Sequence, residues 1–170
     1  RDARPIVAIL PGSREKEVTT LLPEMAGAAE ILSREFEGAQ FVLPLADTVD
    51  PGLVEGILRG RPVPVTVVPG QMYDAVGIAD AAMVASGTAT LETALLGTPL
   101  VIAYRISRLT AAIGRRVIRV QHIGLVNLIA GKTLAPELSQ EDATAARLAA
   151  AVEAILADRD RRETIRRELA

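Results

Sequence analysis

The sequence contains no cysteine and no tryptophan, a single histidine, and four aromatic residues in all, two Tyr and two Phe. The absence of cysteine excludes a disulfide framework, a thiol nucleophile and a Cys-ligated zinc. One histidine excludes a His-rich metal site. Four aromatics are too few for a platform on which nucleic-acid bases stack. No apolar run reaches the roughly 18 residues that a membrane span requires, and the start, Arg1 to Pro5, is too polar for the core of a signal peptide. The expectation is a soluble, cytosolic chain. It opens on Arg1, not Met, which reads as a processed chain or a piece of a longer one.

What is present is a globular balance: 170 residues, 49% hydrophobic and 24% charged, with a net charge of −2. That length fits one domain and buries enough surface to need no covalent staples. Near-neutrality argues against a dedicated DNA-binding domain. The charge is nevertheless uneven. Residues 1–85 hold 7 basic and 12 acidic groups, and residues 86–170 hold 12 and 9. The second half is the better match for an anionic ligand.

Short apolar runs alternate with helical periodicity along the chain. Strands are predicted at Ile6–Leu10, Gln40–Leu45, Val63–Val68, Ala81–Ala85 and Leu100–Tyr104. Helices are predicted at Lys16–Phe36, Pro51–Leu58, Met72–Ala79, Ala89–Leu96, Leu109–Val120, Glu141–Ala157 and Asp160–Leu169. Pro23 either starts the first helix or kinks it. The alternation implies βαβ units, a Rossmann-like parallel sheet with helices on both faces, and a single domain over 1–170. Ligands of such sheets sit beyond the C-terminal strand ends. The loops to inspect are therefore Pro11–Arg14, Pro69–Gln71, Ser86–Thr90 and Arg105–Arg108.

Pro11-Gly12-Ser13-Arg14 combines a permissive glycine, a hydroxyl and a two-pronged phosphate donor. It is equally readable as a strand-to-helix turn capped by Ser13. It matches neither the P-loop nor the Gly-x-Gly-x-x-Gly pattern. Ser86-Gly87-Thr88-Ala89-Thr90-Leu91-Glu92 is sharper. It leaves a strand and opens a helix, where free N–H groups and the helix dipole favour a phosphate. The hydroxyls of Ser86, Thr88 and Thr90 add donors. Glu92, a pure acceptor, suits two vicinal hydroxyls such as those of a ribose. A Ser/Thr cap with a favourably placed Glu is the plainer alternative.

Arg105, Arg108, Arg115, Arg116 and Arg119 form a basic stretch interleaved with apolar residues and free of acids. On a helix it would face an anionic membrane or substrate, or simply solvent. His122 stands without an identifiable partner and reads as structural more readily than as a general base. Asn127, in an apolar stretch, needs hydrogen-bond partners and is a helix cap or a ligand contact. No carboxylate dyad and no Ser/His/Asp set can be assembled.

Taken together, these segments resemble one family. Leu10-Pro11-Gly12-Ser13-Arg14 with Glu17 and Pro23, Ala85 to Glu92 with Thr98-Pro99 and Ala103-Tyr104-Arg105, Ile123-Gly124-Leu125 with Asn127 to Gly131, and Pro136-Glu137-Leu138 with Gln140 are similar to the second half of lipid-A-disaccharide synthases. The ordered match covers residues 6–141. Val126 stands where the family usually has Pro, and Lys132 where it usually has Arg.

The resemblance implies the C-terminal half of a GT-B glycosyltransferase. This half binds the UDP of the donor, UDP-2,3-diacylglucosamine, which the enzyme joins to 2,3-diacylglucosamine 1-phosphate with inversion, without metal or cofactor and with release of UDP. It implies Ser13 and Arg14 on the diphosphate, Ser86, Gly87, Thr88 and Ala89 as its phosphate loop, and Glu92 on the ribose. Arg105, Asn127, Glu137 and Gln140 would line the cleft. The catalytic carboxylate and the acceptor site would lie in an N-terminal domain absent from this chain, leaving it inactive alone. The parent enzyme would work in Gram-negative bacteria, at the cytoplasmic face of the inner membrane. Two other readings stand beside it: a UDP-GlcNAc-using GT-B enzyme of another pathway, such as the peptidoglycan transferase or an epimerase, and a non-catalytic α/β module that docks a partner or membrane through its basic helix.

Overall fold

The computed structural model describes residues 4–105 and 124–169. The predicted helix Leu109–Val120, the arginines 108 to 119 and His122 lie outside these described residues.

Among the described residues the chain alternates strand and helix. β1 (Ile6–Leu10), α1 (Glu15–Glu35), β2 (Gln40–Leu45), α2 (Pro51–Leu58), β3 (Val65–Pro69), α3 (Met72–Gly77), β4 (Ala81–Ala85), α4 (Thr88–Leu95) and β5 (Leu100–Tyr104) follow one another. After them come α5 (Leu125–Ala130), β6 (Glu137–Ser139), a 3-10 turn (Gln140–Asp142), α6 (Ala145–Ala157) and α7 (Arg159–Leu169). The strands form one sheet in the order β3-β2-β1-β4-β5-β6, every pair parallel. This is the doubly wound Rossmann order.

Strands buried on both faces are apolar at every position, and their alternate residues serve two cores. Val7, Ile9, Leu43 and Met83 face a core completed by α1 and α6. Ala8, Leu10, Ala82, Val84 and Ile102 face the other side, where α3 contributes Ala75 and Val76. α1 and α6 share a core of large apolar side chains and come closest where Gly27 meets Ala145. A Cβ at Gly27 would lie 2.9 Å from the Ala145 Cβ. α7 is tied back to the sheet by Arg162, a buried side chain whose Nη1 is 3.4 Å from Asp80 Oδ1. The other Asp80 oxygen accepts from the Ile6 N–H at 3.0 Å.

The differences from the sequence expectation have local causes. α1 begins eight residues before Pro23 and runs through it. β3 starts at Val65, because Pro64 has no N–H for a ladder, and it tolerates Pro69 as a sheet edge. α6 starts at Ala145, where the Thr144 hydroxyl accepts from the Arg147 N–H at 3.4 Å. α5 and β6 were not expected: α5 has six residues, apolar but for Asn127, and β6 has three.

One register detail shapes the surface. β1 pairs with β2 only as far as Ala8↔Val42, while β2 continues alongside β3 to Leu45↔Pro69. The Gln40 N–H reaches the Pro5 carbonyl, so even-numbered β2 residues address β1. The next of these after Val42 is Pro44, which has no N–H to give. The two strands part there, and Leu10 and Pro44 become walls of a cleft.

Candidate functional site

That cleft lies at the C-terminal ends of β1 to β4 and encloses about 480 Å³. From β1 the chain turns to α1 on one face. From β4 it turns to α4, whose Ala89 packs on the opposite core. The crevice between two such departures is the ligand position of doubly wound sheets. Four loops contribute: Gly12 to Arg14 with Glu17, Leu45 to Asp47, Gly70 with Met72, and Ser86 to Ala89 with Glu92.

The β1–α1 loop is organised by Glu17. Its Oε2 accepts from the Ser13 N–H at 3.1 Å, and its Oε1 pairs with Arg14 Nη1 at 3.0 Å. Arg14, not Ser13, precedes the first turn of α1, and no side chain caps it. The Ser13 carbonyl accepts from the Thr48 hydroxyl at 2.7 Å, which ties this loop to the one after β2. The Arg14 side chain is 80% exposed, so its pairing with Glu17 leaves most of the guanidinium open to the cleft side and to solvent.

The β4–α4 loop presents backbone. Gly87 stands before α4 in an extended conformation, and a Cβ there would meet nothing within 4 Å. Neither packing nor backbone angle requires glycine, yet the missing side chain leaves the cleft open. The N–H groups at the head of α4 have no helical acceptor and carry the positive end of the helix dipole. Ser86 and Thr88 lie on the cleft. Thr90 does not: it is buried, and its hydroxyl donates to the Gly87 carbonyl at 2.7 Å. This corrects the expectation that Thr90 offers a donor to a ligand.

Glu92 lies on the cleft from the second turn of α4. Its Oε1 accepts from the Tyr73 hydroxyl of α3 at 3.0 Å. The hydrogen bond and the negative charge of Glu92 push the Tyr73 phenol above 10.0. Tyr73, like Asp47 and Met72, was missed by the sequence reading. The flagged Pro69–Gln71 loop was the only pointer to this wall.

Of the eleven residues assigned from the sequence, seven line this cleft: Ser13, Arg14, Ser86, Gly87, Thr88, Ala89 and Glu92. The other four do not line it: Arg105 and Gln140 meet just past the ends of β5 and β6, and Asn127 of α5 meets Glu137 at the start of β6. Arg105 is held by Glu24, Nη2 to Oε1 at 3.2 Å, and its Nε donates to the Gln140 carbonyl at 3.0 Å. Gln140 has a left-handed backbone, φ 54°. Asn127 is fully buried. Its Nδ2 donates to the Ala135 carbonyl and to Glu137 Oε1, both at 2.7 Å. Its Oδ1 accepts from the N–H groups of Leu134 (2.7 Å) and Ala135 (2.9 Å). The expectation that Asn127 lines the cleft is corrected on this ground: both donors and both acceptor positions of the carboxamide serve the loop that leads into β6.

Among the described residues, no cluster of three or more His, Asp or Glu could hold a metal ion, and no helix is long and apolar enough to cross a membrane.

Comparison with known proteins is decisive about kinship. The family model for lipid-A-disaccharide synthetase matches residues 1–169. The chain belongs to the lipid-A-disaccharide synthase family. The lipid-A-disaccharide synthase of Syntrophus aciditrophicus (strain SB) is 54% identical over 164 residues, which is 96% of this chain and 43% of that protein. The chain thus spans less than half the length of the curated relatives it matches. Among solved structures, the UDP-GlcNAc 2-epimerase of Neisseria meningitidis bound to UDP-GlcNAc aligns with a TM-score of 0.62 at 13% identity, over 97% of this chain and 40% of that one. A spinosyn rhamnosyltransferase complexed with spinosyn aglycone aligns at 0.61 and 16%, over 99% and 42%. These two likenesses show the Rossmann-like half of a GT-B fold and nothing narrower. Membership of the synthase family sets aside the rival enzymes of other pathways.

Proposed function

We propose that this chain is the donor-binding part of a lipid-A-disaccharide synthase and holds the UDP portion of UDP-2,3-diacylglucosamine. The supporting observation is a cleft of about 480 Å³ that gathers a helix N-terminus, an exposed arginine and an accessible carboxylate at the switch point of the sheet. The diphosphate sits against the N–H groups of Gly87, Thr88 and Ala89, where the dipole meets its charge. Ser86 and Thr88 add hydroxyl donors, Ser13 closes the opposite side, and Arg14 exchanges Glu17 for a phosphate oxygen. Glu92 accepts from the ribose hydroxyls. Arg105, Glu137 and Gln140 frame the neighbouring rim, and the buried Asn127 shapes the loop behind it.

In the complete enzyme the bound donor is joined to 2,3-diacylglucosamine 1-phosphate, and UDP leaves. The acceptor and the group that deprotonates it come from the part of the enzyme that this chain does not span. Because its substrates carry acyl chains, the complete enzyme would act at the cytoplasmic face of the inner membrane, with the arginines between 105 and 120 toward anionic lipid. Calorimetric titration with UDP, against UMP and ADP, tests the donor site. Saturable binding selective for UDP is expected, weakened by about 1.5–3 kcal/mol in Glu92→Ala and in Arg14→Ala. No binding at millimolar UDP, or unchanged binding in both variants, overturns the reading.

A further inference from the structure

Glu92 is the sugar-binding group in the reading above, but an exposed carboxylate on a helix has three rotatable bonds and no fixed direction. In this structure it has one, because a residue outside its own helix holds it. We infer that Tyr73 is a positioning residue for Glu92, its hydroxyl anchoring Oε1 so that Oε2 faces the vicinal diol of the ligand's ribose. The inference rests on the proposed nucleotide site and adds to it a residue that no motif in the sequence marks.

Three observations carry it. The first is the bond itself, 3.0 Å from a donor on α3 to an acceptor on α4. The second is that Tyr73 is 59% exposed. A tyrosine that served packing would bury its ring, and the neighbours that do so on this helix are Ala75 and Val76. What the structure uses at position 73 is the hydroxyl. The third is placement. Met72, adjacent in sequence, lines the cleft, so the first turn of α3 forms the wall facing Glu92.

The chemistry is specific to a diol. The hydroxyl hydrogen is committed to Oε1, which leaves Oε2 free to accept from one or both ribose hydroxyls. Fixing the carboxylate before binding lowers the rotamer entropy lost when the ligand arrives. The benefit is therefore confined to ligands that use Glu92. A phosphate or base contact gains nothing from it.

The test is a set of titrations of the 170-residue chain with UDP and with 2′,3′-dideoxy-UDP, using the unsubstituted protein, Tyr73→Phe, Glu92→Gln and the double variant. Tyr73→Phe is expected to weaken UDP binding by about two- to tenfold, the worth of one hydrogen bond. It is expected to leave the dideoxy ligand unchanged and to add nothing once Glu92 is Gln. Tyr73→Leu, which also removes the ring, should match Tyr73→Phe. If Tyr73→Phe is neutral while Tyr73→Leu loses both ligands, the ring is a stacking surface and the inference fails. Equal losses for both ligands in Tyr73→Phe, or additive losses in the double variant, also overturn it. If the unsubstituted chain does not bind UDP, the nucleotide reading itself falls. If it binds and Tyr73→Phe changes nothing, only the role of Tyr73 is lost.

Discussion

Glu17 lies directly over Gly12. A Cβ built at Gly12 would stand 2.7 Å from the Glu17 Cβ, and the Gly12 backbone is at φ +117°. The glycine that a motif reading assigns to ligand approach is required first by its own loop. The Glu17 carboxylate in turn holds the Ser13 N–H and the Arg14 guanidinium, the two donors that an anionic ligand would take. The loop proposed to receive an anion is kept in order by an anion of the protein's own.

Gly12→Ala should therefore destabilise the fold by about 1–3 kcal/mol, since it adds a strained backbone to a steric clash. Urea denaturation measures the loss, and an unchanged midpoint would refute the role given to Gly12.

Gly87→Val should behave in the opposite way. Its backbone is extended and nothing lies within 4 Å of the added carbon, so the thermal midpoint should barely move. The branched side chain would enter the space assigned to the diphosphate and weaken UDP binding at least about tenfold, roughly 1.4 kcal/mol. Calorimetry beside a thermal melt separates the two effects.

Asn127→Ala removes a side chain with four hydrogen bonds and takes the partner from the N–H and the carbonyl of the buried Ala135. A stability loss of about 2–4 kcal/mol is expected. The protein that remains folded should bind UDP as before. A large affinity change with unchanged stability would instead make Asn127 a ligand contact.

The hydrogen bond to Glu92, and then the charge of that group, raise the Tyr73 phenol above the ordinary tyrosine value. Its pKa is raised in the folded state, so the protonated form is the one that folding favours. This contribution is complete below the unfolded value and is lost as pH rises through the folded value. Near-ultraviolet difference absorbance should show the raised transition in the unsubstituted chain and its return toward 10.0 in Glu92→Gln.

The loops of the cleft were legible in the sequence because punctuation marks them. Pro11-Gly12 and Ser86-Gly87 each follow a short apolar run, and a parallel sheet puts such ends on one edge. The partners of those loops were not legible. Tyr73 and Glu92 are 19 positions apart on different helices, and Arg105 and Glu24 are further apart still. Only packing brings them together. The distribution of site residues suffered for the same reason. Glu137 and Gln140 lie on β6 and just past it, and a strand with a single buried apolar residue, Leu138, leaves no pattern from which to place them.

Pro44 sets a limit on how far this domain can be stabilised. A residue with an N–H at that position would offer the Ile9 carbonyl its ladder donor and let β1 and β2 zip toward their ends. The added pairing would draw Leu10 and residue 44 together across the mouth of the cleft. Selection for thermal resistance alone would favour that repair, at the expense of the opening between Leu10 and residue 44.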